Sequence, residues 1–148
     1  MLKVDENYIK ESIMEHEGFR DTIYVCTEGH RTVGWGHKCV EDHWEDRVAY
    51  PLGYLRDVFM VDFDKAKKQM KEFLAQEDLA IKKEAEYILV EMIFQMGKNG
   101  VSKFRNMIKA LRGQNYGLAS VEMLDSLWYK QTPNRAKKLS DLMASLEG

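Results

Sequence analysis

The stretch that most constrains the fold runs from Ile13 to Cys39, IMEHEGFRDTIYVCTEGHRTVGWGHKC. It passes from a helical period to a strand period and closes on a glycine-rich turn. Ile9, Ile13 and Glu17 are spaced by four and so share one helical face. Asp5 suits the N-cap, Glu6 the first turn, and Gly18 the stop, which predicts a helix over 5–17. A carboxylate therefore extends an apolar stripe to a helix C-terminus. The helix dipole and the apolar neighbours both disfavour negative charge there, which pushes Glu17 toward the protonated state that a general acid needs.

Beyond Gly18, IYVC and RTVGWG read as two strands around TEGH, a short hairpin with Gly29 near its centre. Centred on Gly29, the hairpin sets Cys26 opposite Thr32 on one face. The helix end then points its carboxylate at a small sheet carrying a thiol and a hydroxyl.

Glu, eight residues, Asp or Cys, five residues, Thr and a closing Gly-x-Gly-His make up a family signature. Glu17, Cys26, Thr32 and Gly34-Trp35-Gly36-His37 fit it without a gap. Two later stretches agree: Phe94-Gln95-Met96-Gly97 with Gly100, Val101 and Phe104, then Trp128-Tyr129-x-Gln131-Thr132-Pro133-Asn134-Arg135-Ala136. On these three ordered matches the chain resembles the T4 lysozyme-type phage endolysins, glycoside hydrolase family 24. Residues 38–61 show no correspondence. The resemblance implies a lysozyme-like α+β fold, predominantly helical, and a muramidase acting on bacterial peptidoglycan for host lysis. It implies no cofactor or metal, and it implies a phage holin for release from the host cytoplasm to the periplasmic wall.

At 148 residues with 45% hydrophobic content, the chain suits one compact domain with a real core. A net charge of −2 offers no basic field for nucleic acid. It also departs from the many basic members of the resembled family, which work on an anionic wall. Two cysteines are too few for a disulfide framework, so a reducing site of synthesis is expected. No apolar signal core opens the chain and no run reaches membrane-spanning length, so no membrane insertion is expected. A monomer is the expected state.

Along the chain, residues 38–60 are irregular, with Pro51 and Gly53 as punctuation, and read as loop with one short helical turn. Asp62 is expected to cap a connecting helix over about 62–76, with Phe63, Ala66, Met70 and Phe73 on one face. Asp78 is expected to open a long helix whose stripe is Ala85, Ile88, Leu89, Met92, Ile93 and Met96, stopped by Gly97. Ser102 is expected to cap a helix to Gly113. Asn115 is expected to cap one reaching Trp128 through Leu118, Val121 and Leu124. Thr132-Pro133 opens a last helix lined by Leu139, Leu142 and Leu146. Two lobes result: a small N-terminal β-containing lobe over about 13–60, and an all-helical C-terminal lobe over about 78–148 with helix 5–17 packed near it. A cleft between lobes is a natural ligand site.

Inverting glycoside hydrolysis needs an acid for the leaving oxygen and a group across the sugar that activates water. Glu17 is the candidate acid. Cys26 is the candidate water-activating partner, with a thiol that a nearby Glu17 anion would push upward, and Thr32 the candidate water-holding hydroxyl. Read alone, Cys26 is an ordinary strand cysteine and Thr32 a residue of good β-propensity. The resemblance adds Phe94, Arg135 and His37 on the substrate side. An aromatic face suits a pyranose ring, though Phe94 also suits core packing. Arg135 approaches Glu17 from the other lobe, opposing the helix-end effect. His37 suits a hydrogen-bonded role in holding the fold better than proton transfer. Two other classes of protein fit some of these residues. Cys26 with His37 could form a thiol–imidazole pair in a wall peptidase or amidase. Cys26, His30, His37, Cys39 and His43 could hold zinc in a non-catalytic wall-binding module, although their spacing matches no zinc pattern.

Overall fold

The computed structural model describes residues 3–148. Helix α1 (Glu6–Glu17) is capped as its sequence dictates. The Asp5 carboxylate accepts from the Tyr8 N–H at 2.9 Å, and Gly18 at φ +73° ends the helix. Ile9 and Ile13 are fully buried, so the apolar stripe faces inward. A three-stranded antiparallel sheet follows: β1 (Arg20–Val25), β2 (Arg31–Gly34) and β3 (His37–Lys38), in that order.

The register differs from the expected one by one step. Tyr24 pairs with Thr32 and Val25 with Arg31, which centres the turn on Glu28 rather than Gly29. Cys26 therefore faces His30, whose carbonyl accepts its N–H at 2.9 Å. Period-two alternation keeps Tyr24, Cys26 and Thr32 on one face, so the thiol and hydroxyl are diagonal rather than opposed.

Residues 39–51 form no regular element, but helix α2 begins at Leu52, ten residues before Asp62. It runs Leu52–Glu77, with Pro51 at its N-cap and Leu55, Phe59, Phe63, Ala66, Met70 and Phe73 buried along one face. Asp62 is interior to it. Asp78 opens no helix: at φ +55° and ψ +55° it is the left-handed C-cap of α2. Helix α3 (Lys83–Ser102) starts five residues later and is broken at Gly97, whose φ +79° and ψ +164° are not helical.

Four helices complete the C-terminal lobe: α4 (Arg105–Arg112), α5 (Tyr116–Leu124), α6 (Leu127–Gln131) and α7 (Pro133–Ala144). Ser102 caps nothing, since its hydroxyl donates back to the Lys98 carbonyl at 2.8 Å. Asn115 does cap α5, accepting from the Leu118 N–H at 3.0 Å. Helix α5 ends at Leu124 and buries Tyr116, Ala119, Ser120 and Met123, leaving Leu118 and Val121 exposed. The small face wins because it meets α7 closely: Ala119 and Ala136 are both fully buried, and the Ser140 hydroxyl donates to the Ser120 carbonyl at 2.9 Å.

The buried apolar residues form two clusters. A large cluster joins α1, α2, α3 and the C-terminal helices, and a small one of Val33, Trp44 and Leu55 lies under the sheet. Trp35 packs against both clusters, with Phe19 and Phe59 at 4.5 and 5.9 Å between ring centroids. This is the lysozyme-like α+β architecture. Helix α2 carries residues of both lobes and so fixes the cleft between them.

Candidate active site

The cleft between the lobes has a volume of about 1840 Å³, and Glu17, Cys26, Thr32, Phe94 and Arg135 all line it. Glu17 is the last residue of α1, with its side chain 19% exposed. One carboxylate oxygen, Oε2, accepts from Arg135 Nη1 at 2.7 Å. The other lies against Gly36, where an added Cβ would overlap Oε1 and stand 3.0 Å from the carboxyl carbon. Gly36 takes φ +78°, a conformation that costs a residue with a Cβ about 1–2 kcal/mol. The Gly-x-Gly-His turn thus seats the carboxyl group from below while Arg135 holds it from α7.

Across from it lies the polar face of the hairpin. Burial first, then the Glu17 and Cys26 charges, raise the pKa of the Tyr24 phenol. Tyr24 was legible only as a strand residue; pairing with Thr32 places it on the chemical face. The Cys26 thiol does not behave as expected from a neighbouring anion. Its pKa is lowered, first by the His30 backbone amide, against a smaller burial effect, with the Glu28 amide and the Thr32 hydroxyl also contributing. Hydrogen bonds to the thiolate outweigh the negative surroundings. Thr32 is buried and its hydroxyl donates to the His30 carbonyl at 2.9 Å. Its lone pairs remain able to accept from a water.

Phe94 is half-buried on α3, with its ring centroid 5.6 Å from that of Phe59. It therefore belongs to the core edge and the cleft wall together. Gln95 beside it is oriented by the Trp128 indole N–H, which donates to Oε1 at 2.8 Å. His37 borders the cleft, yet both ring nitrogens are occupied. Nδ1 is 2.8 Å from Asp62 and Nε2 is 2.8 Å from Glu41. It ties β3 to α2, and no Cys26–His37 pair forms. His43 bonds instead to the Tyr54 hydroxyl at 2.9 Å. Among the described residues no group of three or more His, Cys, Asp or Glu could hold a metal, and Cys26 and Cys39 are free thiols.

Residues 14–144 match the model of the phage lysozyme family. The chain belongs to that family. Its relatives include the pre-baseplate central spike protein Gp5 of Enterobacteria phage T4, 28% identical over 88% of this chain and 26% of that protein. The peptidoglycan hydrolase gp36 of Pseudomonas phage phiKMV is also 28% identical, over 97% of this chain and 16% of that protein. Probable T4-type lysozyme 1 of Dictyostelium discoideum is 26% identical over 88% of this chain and 90% of its own length. The chain thus spans about a quarter and a sixth of the two phage proteins, and nearly all of the Dictyostelium one.

Two further residues join the candidate site, and the sequence pattern points to them only weakly. Glu91 is fully buried on α3, and its Oε2 accepts from Arg135 Nε at 2.8 Å and from His16 Nδ1 at 2.9 Å. The one clue to Glu91 is a carboxylate inside an otherwise apolar run, Ile88 to Phe94. His16 precedes Glu17 at the end of α1, and its role follows only from its contact with Glu91 of α3.

Proposed function

We propose that the chain is a muramidase that hydrolyses the β-1,4 bond from N-acetylmuramic acid to N-acetylglucosamine in peptidoglycan, with inversion at the anomeric carbon. The observation that carries this reading is the placement of Glu17. The Glu17 carboxyl, clamped between Arg135 and Gly36, lines the same cleft as the Cys26 thiol and the Thr32 hydroxyl of the hairpin.

Glu17 delivers its proton to the leaving O4 of N-acetylglucosamine as the C1–O bond breaks. A water held by Thr32 and Cys26 attacks C1 of the muramic acid from the opposite side and gives its proton to the Cys26 thiolate or onward to solvent. The lowered thiol pKa increases the thiolate fraction available for that step. Alternation sets Tyr24, Cys26 and Thr32 on this hairpin face, and none of the three can form a glycosyl-enzyme ester as a carboxylate would, which favours direct displacement by water over a covalent intermediate. Phe94 offers its ring to the glycan path, and Arg135 holds the Glu17 carboxyl beside it. Membership in the phage lysozyme family and the printed names of the phiKMV and Dictyostelium relatives support the same reaction.

The test is reducing-end release from purified peptidoglycan, with the anomer of the first product followed by NMR. Release of the α-anomer is the expected result. New free amino groups without new reducing ends would replace this reading with an amidase, and an initial β-anomer would replace inversion with retention.

The same reading makes the chain a monomeric lysis protein that reaches the wall from the host cytoplasm through a holin. Cytoplasmic expression should leave cells intact until the inner membrane is permeabilised, and lysis before permeabilisation would contradict that route.

A further inference from the structure

An Arg135 nitrogen 2.7 Å from Glu17 favours the ionised carboxylate, which is the wrong state for a general acid. The residues behind Arg135 oppose that pull. Glu91 binds the same guanidinium through Nε at 2.8 Å, so one fixed cation serves two carboxylates. Glu91 has 0% exposure and Arg135 6%, so solvent screens neither. His16 Nδ1 donates to the same Glu91 oxygen at 2.9 Å, and Ser12 Oγ stands 3.4 Å from that nitrogen. Because a carboxylate accepts, Nδ1 carries the hydrogen toward Glu91, and the ring also lines the cleft.

The charge of the cluster therefore has two settings. With neutral His16, Glu17, Glu91 and Arg135 sum to one net negative charge, which favours a proton on Glu17. With imidazolium, the ionised cluster is neutral and that preference weakens. The pairing is also incomplete among the described residues, since Glu91 Oε1 and Arg135 Nη2 are buried without a partner. A partly compensated buried cluster responds strongly to one added charge.

We infer that Glu91 and His16 are positioning residues that aim Arg135 at Glu17 and set the pH range over which Glu17 holds its proton. The inference rests on Glu17 being the general acid. The ionisable neighbours of the cluster come from every element packed on it. They are His16 and Glu17 of α1, Glu91 of α3, Arg135 and Lys138 of α7, and Tyr24 and Cys26 of the hairpin. Lys138 donates to the Ser12 hydroxyl at 3.3 Å.

The experiment compares the wild-type chain with Glu91→Gln on soluble glycan strands of peptidoglycan, reading reducing ends from pH 4 to 9. The amide keeps an acceptor for Arg135 Nε and removes the charge. The alkaline limb of kcat/KM is expected to move down by about one pH unit, the size of a like charge lost a few ångströms from a half-buried carboxyl. KM should stay within about twofold, and kcat at neutral pH should fall about tenfold. A folded Glu91→Gln protein whose profile superimposes on the wild type would reduce Glu91 to a structural ion pair and overturn the inference.

Should Glu91→Gln fail to fold, His16→Asn decides. Its amide still donates to Glu91 but cannot titrate. The wild-type-to-variant ratio of kcat/KM is expected to change about three- to tenfold between pH 5 and 8, and a constant ratio overturns the inference. A wild-type chain that releases no reducing ends removes the hydrolase reading and this inference together. Release with unmoved limbs removes this inference alone.

Discussion

His37 makes the stability of this protein depend on pH in a direction its geometry dictates. Nδ1 lies 2.8 Å from Asp62 and Nε2 lies 2.8 Å from Glu41, so only the imidazolium can donate to both. Burial favours the neutral ring, but the Asp62 and then the Glu41 hydrogen bonds outweigh it and leave the His37 pKa raised. Glu41 is correspondingly lowered, first by the Trp44 indole N–H and then by His37. The folded state thus binds the extra proton. Its contribution is complete below about pH 6.5, the unfolded value, and is lost as pH rises through the higher folded value. The His37 and Asp62 side chains are 16% and 24% exposed, so that charge-assisted bond is worth about 2 kcal/mol. Glu41 is 45% exposed and adds only about 0.5 kcal/mol. For a chain of 148 residues, losing about 2 kcal/mol lowers Tm by about 4–8 °C. Thermal melts of wild type and Asp62→Asn at pH 5.5 and pH 9 measure this. The variant should fall short by that amount at pH 5.5 and by clearly less at pH 9, where the neutral ring donates to one partner only. An equal deficit at both pH values would refute a charged His37 in the folded state.

Three other outcomes follow from the site. Glu17→Gln should fold with wild-type stability and lose about two to four decades of rate, measured as reducing ends released; near-wild-type activity would eliminate Glu17 as the acid. Cys26→Asp should remain active, because a carboxylate ionised at neutral pH can orient and deprotonate water at least as well as a thiol. A folded but inactive Cys26→Asp beside an active Glu17→Gln would point to a covalent thiol enzyme instead. Gly36→Ala should lose at least tenfold in kcat and about 1–2 kcal/mol in stability, from the left-handed backbone and the displaced Glu17 carboxyl; unchanged kinetics would show that the turn does not seat the acid.

Much of the architecture was legible in short stretches, because caps and stripes are local. Asp5, Gly18, Asn115 and Pro133 mark their helix ends as read, and the Ile9, Ile13, Glu17 stripe faces the core with the carboxyl at its rim. The errors fall where a local signal met a non-local decision. Asp62 resembles an N-cap, but Leu55 and Phe59 continue the buried face of α2 backward to Pro51, and packing overrides Gly53. Asp78 resembles a second N-cap, but its left-handed backbone ends α2 instead. The hairpin slipped by one residue because a glycine near a turn does not say which pairs bond; the ladder places the centre at Glu28.

The sequence alone determined which residue types could meet: an acid on a helix end, a thiol and a hydroxyl on one strand face, an arginine after Pro133. Which of them carry compensated charge was decided by tertiary structure. His16, Glu91 and Arg135 come from α1, α3 and α7, separated by 75 and 44 positions in their hydrogen-bonded pairs. No periodicity links such distant positions. Their energies depend on burial and on the partner's charge, and both exist only once the three helices have packed.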